Sequence, residues 1–322
     1  MKSVLSVMVE GIRSGDRTTL SKAITLAESS LETDISFTWE LLEELSKHPG
    51  HALRIAVTGP PGAGKSTLIN SLGQKFIEQG SRVAVLTIDP SSQKTGGSIL
   101  ADKTRMHELS GMQKAFIRPS PSAGLFGGLS PGTRAATLLC EAAGFDIILI
   151  ETVGVGQSEV AVRELVDCVI LVLIPGSGDE LQGLKKGIME NADLILVNKA
   201  DGATQSLANK AVNVLNAVLR LSTPEEDQRL VSALPCSAEN GLGIEEVMQE
   251  IRLFFKWLEE TGFKQKKRSA QRDHFFEATF LNELQHRYLK SEKVKSLLIS
   301  VRQRMKDGNL NEYEALKEAL KD

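Results

Sequence analysis

The sequence has few cysteines and few aromatic residues. Its 322 residues include three cysteines, and 5% of the residues are aromatic. Cys140, Cys168 and Cys236 lie far apart and form no Cys-x-x-Cys pair. This spacing excludes a disulfide-rich module and predicts core thiols in a reducing compartment. The scarcity of aromatic side chains excludes a nucleic-acid surface that works by base stacking.

Long apolar runs and an excess of one charge are also missing. The longest apolar runs, at 145–150 and 168–175, are much shorter than the roughly 18 residues that a membrane span needs. Glu10 interrupts the first apolar stretch before an export signal forms. The 38 Lys and Arg residues against 41 Asp and Glu residues give a net charge of −3, which attracts neither nucleic acid nor anionic lipid. We therefore expect a soluble, cytoplasmic protein with no nucleic-acid or membrane partner.

Short β-branched runs alternate with longer helical patterns in the middle of the chain. This order predicts an α/β fold with a mostly parallel seven-stranded sheet flanked by helices, because parallel strands need crossover helices on both faces. The predicted strands are 54–58, 82–88, 114–118, 146–151, 168–174, 194–198 and 230–235, and the predicted helices are 65–79, 133–143, 181–191, 204–221 and 244–261.

Helical patterns extend the α/β region at both ends. Phe276, Phe280, Leu284 and Tyr288 recur every four residues and predict a helix whose apolar stripe is buried on its own domain or on another subunit. The basic run at 264–268 favours a solvated helix start over a binding patch. The predicted parts are an N-terminal helical segment (1–48), the α/β domain (49–262) and a C-terminal helical arm (263–322).

A phosphate-binding motif follows the first predicted strand directly. The chain reads Gly59-Pro60-Pro61-Gly62-Ala63-Gly64-Lys65-Ser66-Thr67, which matches G-x-x-x-x-G-K-[ST] in full. Such a loop turns backbone N–H groups toward phosphate oxygens, and a helix presents its positive end behind it. Lys65 is predicted to reach the outer phosphates and Ser66 to ligate Mg²⁺. The predicted fold is therefore that of a P-loop NTPase.

Carboxylates at the ends of predicted strands are candidates for the metal site and for catalysis. Glu151 ends the strand 146–151, and Gly154 follows where an N–H can sense the γ-phosphate. Asp89 directly follows the second predicted strand, 82–88, and Asp102 lies in a polar loop. We predict a metal site of Ser66, Asp89, Asp102 and Glu151. The sequence leaves open which aspartate contacts the metal and whether either one caps a helix instead.

A guanine-recognition pattern follows the apolar run 194–197. Asn198-Lys199-Ala200-Asp201 matches N-K-x-D, in which the aspartate accepts hydrogen bonds from N1–H and the exocyclic amine of guanine. Adenine offers no such pair of donors, so Asp201 selects GTP over ATP. Ser237-Ala238-Glu239, after the last strand, is predicted to bring backbone to the guanine O6.

Longer runs resemble one known family. DPSSQKTGGSILADKTRM (89–106), FIRPSPSAG (116–124), ETVGVGQSE (151–159) and PGSGDELQGLKKGI (175–188), together with NKAD (198–201), are similar to the MeaB/ArgK family of P-loop GTPases. The resemblance implies a GTP hydrolase that serves as a chaperone of an adenosylcobalamin-dependent acyl-CoA mutase, most often methylmalonyl-CoA mutase. Such a chaperone gates cofactor delivery and protects or reactivates the mutase.

The resemblance also assigns roles to particular residues. It implies GTP, GDP and Mg²⁺ as ligands, a homodimer joined by the C-terminal helices, and a third switch at 176–186 with Asp179, Gln182 and Lys185 as polar contacts. Val155 stands where Ras-like GTPases place a water-positioning glutamine, which leaves Gln157 as the catalytic candidate. No cobalamin-binding motif is visible, so cofactor transfer is expected to occur on the partner.

Two other functions compete with a mutase chaperone. A nickel-type metallochaperone GTPase of the same class would need a His/Cys cluster, and the five histidines and three cysteines form none in the sequence, although His48 and His51 lie close together. A P-loop kinase is suggested by the phosphate loop alone, but such kinases normally lack N-K-x-D. Nucleotide preference separates a kinase from a GTPase.

Overall fold

The computed structural model describes residues 3–89, 106–121, 131–152, 161–176, 191–221 and 229–320. Contacts divide the chain into two compact units, residues 1–268 and 269–322. The strands are β1 (Leu53–Thr58), β2 (Val83–Asp89), β3 (Ala115–Pro121), β4 (Ile147–Glu151), β5 (Cys168–Leu173), β6 (Leu194–Val197) and β7 (Ser232–Pro235). The helices of the described residues are α1 (Val4–Arg13), α2 (Arg17–Ala27), α3 (Glu32–Ser46), α4 (Lys65–Glu78), α5 (His107–Ser110), α6 (Pro131–Ala142), α7 (Gln205–Leu221), α8 (Ile244–Glu260), α9 (Phe263–Lys290), α10 (Glu292–Lys306) and α11 (Glu312–Ala319).

The strands form one parallel sheet in the order β3-β2-β4-β1-β5-β6-β7. This confirms the predicted seven-stranded α/β fold. The last strand begins at Ser232 rather than at residue 230, and β6 ends one residue before Asn198, whose side chain turns into the loops. The predicted helix 181–191 lies outside the described residues.

Alternate residues of each strand enter different cores. Ile55 and Val57 of β1 pack with α4 and α8 on one face, whereas Ala56 packs with α6 and the N-terminal helices on the other. Because both faces are covered, the central strands are continuous apolar runs, and β5 is buried along its whole length. Crossover helices on both faces bring the carboxyl ends of the strands to one edge, which we call the nucleotide end.

The N-terminal helices share the core of the sheet. Leu20 and Ile24 of α2 and Leu41 of α3 are fully buried against α6 and the outer face of β2 and β4. Asp16 begins α2 as its N-cap and accepts a hydrogen bond from the Thr19 amide at 2.8 Å. The helices over 1–48 are therefore integrated in the first compact unit rather than forming a core of their own.

A buried charge cluster lies at the opposite edge, which we call the basal end. It consists of Arg54 in β1, Glu141 in α6, Asp167 before β5 and Arg268 in the first part of α9. Arg268 donates to both carboxylate oxygens of Asp167, at 2.8 and 2.7 Å, and to Glu141 at 3.1 Å. Arg54 pairs with the other oxygen of Glu141. The basic run was expected to be a solvated helix start, but Arg268 instead closes a network of alternating charges.

Ion pairing outweighs the effect of burial on the pKa of Asp167 in this cluster. Asp167 is 1% exposed, and burial alone would raise the pKa of its carboxyl. Hydrogen bonds and charge from Arg268, together with the Arg54 amide at 3.0 Å, outweigh burial and hold that pKa below its ordinary value. The same carboxylates raise the pKa of the Arg268 guanidinium against the effect of its own burial. Asp167 and Arg268 are therefore both held in their charged forms in the fold.

The second unit contains the rest of α9, with α10 and α11. Arg304 of α10 pairs with Glu318 of α11 at 2.5 Å, and Asn311 starts α11 with a capping box. Phe276 and Phe280 of α9 are 66% and 52% exposed and stack on each other with 5.9 Å between ring centroids. Among the described residues, no helix is long and apolar enough to cross a bilayer.

Candidate functional site

The loop between β1 and α4 is shaped by glycines in backbone conformations that side chains rarely adopt. Gly59 has φ 142°, and a Cβ there would lie 2.1 Å from the Val172 carbonyl oxygen of β5. Gly64 has φ 87° and directly precedes α4, and its Cβ would lie 2.4 Å from the Asn198 side-chain nitrogen. Because Gly64 has no side chain with which to cap α4, the first amides of the helix are available to an anion.

Lys65 is folded inward along this loop. Its side chain is buried, and its ammonium donates to the carbonyls of Gly59 at 2.8 Å and Pro60 at 3.1 Å. Backbone carbonyls of the loop thus hold the cation beside the start of α4, and the Ala63 N–H closes the turn by donating to the Pro60 carbonyl at 3.2 Å. An ammonium so placed can move by bond rotation to phosphate oxygens without crossing the protein interior.

Ser66 and Glu151 come together beside the loop. The Ser66 hydroxyl donates to Glu151 Oε1 at 2.6 Å, because β4 is the neighbour of β1 and Glu151 is level with Val57. A hydroxyl and a carboxylate this close form an oxygen donor set that suits Mg²⁺. Next to them, the buried Thr152 hydroxyl donates to Thr58 at 2.9 Å, which ties the ends of β4 and β1 together.

Asn198 joins three loops. Its amide nitrogen donates to the Ala63 carbonyl in the phosphate loop at 2.8 Å, and its amide oxygen accepts from the Ala238 N–H at 2.9 Å. The Cys236 thiol lies 3.8 Å from the same oxygen, and burial raises the pKa of that thiol to about 12. The phosphate loop and the loops after β6 and β7 are therefore held in one arrangement by a single buried side chain.

Asp201 faces the loop after β7. One carboxylate oxygen, Oδ2, accepts from the Ser237 hydroxyl at 2.7 Å and from the Asn240 side-chain amide at 2.5 Å. Thr204 donates to the Asp201 carbonyl at 2.8 Å and so fixes its backbone. Lys199, two residues earlier, is exposed and has a left-handed φ of 58°, a conformation that non-glycine residues adopt mainly at turns and ligand sites.

The remaining predicted site residues are either exposed or lie outside the described part of the structure. Glu239 is exposed at the mouth of the loop after β7, and Thr67 is exposed on α4. Asp89 is the last residue of β2, and its carboxylate lies outside the described part of the structure. The predictions for Asp102, Gly154, Gln157, Asp179, Gln182 and Lys185 fall outside the described residues.

Three site residues were missed in the sequence. Thr58 lies outside the motifs, and Thr152 lies in the run 151–159 without an assigned role. Their pairing depends on the neighbouring positions of β1 and β4. Asn240 precedes Gly241, and an Asn-Gly pair signals a turn but not which group its amide will contact.

Comparisons with known proteins cover nearly the whole chain. A family model described as methylmalonyl-CoA mutase-associated GTPase MeaB matches residues 20–293. The GTPase ArgK of Escherichia coli strain K12 is 44% identical over 270 residues, which cover 84% of this chain and 82% of that protein. The protein called methylmalonic aciduria type A homolog, mitochondrial, of Mus musculus is 43% identical over 271 residues, which cover 81% of this chain and 65% of that protein.

A solved structure matches the fold as well. It is described as a crystal structure of LAO/AO transport system kinase, and it is 33% identical with a TM-score of 0.77. The match covers 99% of this chain and 98% of that chain. The range 20–293 of the family model includes the phosphate loop, Glu151, Asn198, Asp201 and Asn240.

Proposed function

The chain belongs to the MeaB family of GTPases, and from that premise we propose that it hydrolyses Mg²⁺·GTP at this site in order to act as a chaperone of an adenosylcobalamin-dependent acyl-CoA mutase. The family membership confirms the resemblance found in the sequence. The identity of the proposed client is supported by the family description, which names methylmalonyl-CoA mutase. Gating of cofactor delivery, and protection or reactivation of the mutase, are part of the same proposal.

The residues of the nucleotide end have distinct proposed roles. The backbone amides of Gly62, Gly64, Lys65 and Ser66 bind the β- and γ-phosphates, and Lys65 exchanges the carbonyls of Gly59 and Pro60 for phosphate oxygens. Ser66 and Glu151 hold Mg²⁺, which when bound would neutralise charge on the phosphate oxygens. Asp201 binds guanine. The roles of Asp89, Asp102, Gln157, Asp179 and Lys185 stay predictions.

A GTP-dependent chaperone of a mutase makes a measurable prediction. Methylmalonyl-CoA mutase should bind the purified chain more tightly with a non-hydrolysable GTP analogue than with GDP, because a client that favours the GTP state raises the affinity for GTP in return. It should also accelerate GTP hydrolysis, because the third switch predicted at 176–186 would couple the client to the site. Isothermal titration with each nucleotide and a phosphate-release assay check both effects. An unrelated acyl-CoA enzyme is the control, and equal affinity in both nucleotide states would contradict the proposal.

We also place two copies of the chain in a dimer through the arm. Phe276 and Phe280 expose their rings side by side, which is an apolar surface that a second arm could cover. Changing Phe280 to Glu should convert the dimer to a monomer in sedimentation, whereas changing exposed Glu277 to Ala should not. A wild-type chain that sediments as a monomer would contradict this part. The buried free thiols of Cys140, Cys168 and Cys236 support a cytoplasmic location.

A kinase is the second candidate, because the solved relative is described as a transport-system kinase. Incubation with γ-labelled GTP distinguishes the two. A GTPase releases labelled phosphate to water, whereas a kinase retains the label on itself or on an acceptor. For a nickel chaperone, the described residues contain no group of three or more His, Cys, Asp or Glu side chains that could hold a metal.

A further inference from the structure

The carboxylate of Asp201 is held by two side chains of the following loop. Ser237 and Asn240 both donate to Oδ2, at 2.7 and 2.5 Å. Within the described residues, the hydrogen bonds to this carboxylate all fall on that one oxygen. Two donors on one oxygen fix the rotation of the carboxylate about its terminal bond as well as its position.

The turn after β7 fixes the position of Asn240. Its backbone N–H donates to the Ser237 hydroxyl oxygen at 3.3 Å, so Ser237 accepts from Asn240 and donates to Asp201. Gly241 donates to the Ser237 carbonyl at 2.9 Å, and Ser237 donates to the Leu242 carbonyl at 2.8 Å. Asp201, Ser237 and Asn240 therefore form a closed ring, which passes through the Asn240 backbone N–H and whose geometry is set by a tight, backbone-bonded turn.

The number of acceptor sites fits guanine. An ionised carboxylate offers about four lone-pair sites, and Ser237 and Asn240 occupy two of them. The two sites that stay available are on Oδ1, and guanine presents two N–H groups along one edge, N1–H and one N–H of its exocyclic amine. A carboxylate that is already oriented loses less conformational freedom when the base binds.

We propose that Asn240 is a positioning residue for guanine specificity, which orients the Asp201 carboxylate from the loop after β7. This inference rests on the proposed role of Asp201 in guanine binding. Asn240 does not touch the phosphates in this assignment, so it affects the affinity and selectivity for the base and not the turnover of bound GTP.

The test compares dissociation constants for GDP and ADP in Asn240→Ala. Loss of one hydrogen bond to a charged acceptor should weaken GDP binding by about 5–30-fold. ADP binding should be unchanged, because adenine gains nothing from an oriented carboxylate. Turnover at saturating GTP should also be unchanged. Asn240→Asp has the same shape but places a negative charge against Asp201, and it should weaken GDP binding more than Asn240→Ala does.

Asn209→Ala is the matched control. Asn209 is exposed on α7, and its replacement should leave both dissociation constants unchanged. Asn240→Gln keeps an amide donor and should recover part of the lost affinity. Equal weakening of GDP and ADP, unchanged GDP affinity or tighter GDP binding in Asn240→Ala would overturn the proposal.

A parallel variant separates this inference from the proposed function. Asp201→Asn should shift preference from guanine to xanthine nucleotides, because an amide can donate to the carbonyl that xanthine carries in place of the amine. If that shift fails, guanine binding by Asp201 is wrong. If it succeeds and Asn240→Ala leaves GDP binding intact, only the role of Asn240 is wrong.

Discussion

At the nucleotide end of the sheet, polar side chains make hydrogen bonds to backbone groups and to each other that a ligand can replace. At the basal end, by contrast, charged side chains neutralise one another. Lys65 donates to two loop carbonyls, and Ser66 donates to Glu151. Arg268 instead pairs with Asp167 and Glu141. The first arrangement leaves charge and donors for a phosphate, and the second consumes them.

This difference separates function from stability along the same strands. Lys65 can be replaced with little effect on the core, since its ammonium donates to loop carbonyls. Arg268 cannot be replaced without a loss of stability, because it pairs with the buried carboxylates of Asp167 and Glu141. Each of the following predictions tests one side of that contrast.

The largest effect is expected from Arg268→Met, which keeps the length of the side chain and removes its charge. Two buried carboxylates lose a partner, so the free energy of unfolding should fall by about 3–5 kcal/mol. Urea unfolding measures it. Arg252→Met is the matched control, because Arg252 pairs with Glu245 at 3.3 Å on the exposed surface and should cost about 0–1 kcal/mol. Equal losses in the two variants would contradict the contrast.

The reverse pattern is expected for Lys65→Met at the nucleotide end. GTP hydrolysis should fall at least about 100-fold, since a cation aimed at the transferring phosphate is lost. The free energy of unfolding should fall by less than in Arg268→Met. Phosphate release and urea unfolding measure the two quantities. Lys75→Met, on the exposed face of the same helix, should change neither. A large loss of stability without loss of hydrolysis would refute the assignment of Lys65.

The smallest effect is the acid dependence of the basal end. Asp167 has a folded-state pKa below its ordinary value of 3.8, so its contribution is fully present above 3.8 and is lost as the pH falls through the folded pKa. Unfolding free energies between pH 6 and pH 2 should therefore decline less steeply in Asp167→Asn than in the wild type. Parallel curves would show that Asp167 does not carry this dependence.

Local patterns were sufficient to predict much of the molecule. The parallel sheet follows from alternating runs, and the phosphate loop follows from nine consecutive residues, because both depend on neighbours in the chain. The orientation of Asp201 by Asn240 could not be predicted, since their contact spans 39 positions and depends on a turn. The basal charge cluster was missed for the same reason, because Arg268 and Asp167 are 101 positions apart. Basic residues in a run give no sign of such distant acids.

Arg268 also limits where the chain can be truncated without loss of the fold. Gly262, in a left-handed turn between α8 and α9, is the obvious site at which to trim away the helical tail. A fragment that ended there would bury Asp167 and Glu141 with no guanidinium from α9. We therefore expect the shortest fragment that folds by itself to extend through the first six residues of α9, and protease-resistant pieces of the protein should end beyond residue 268.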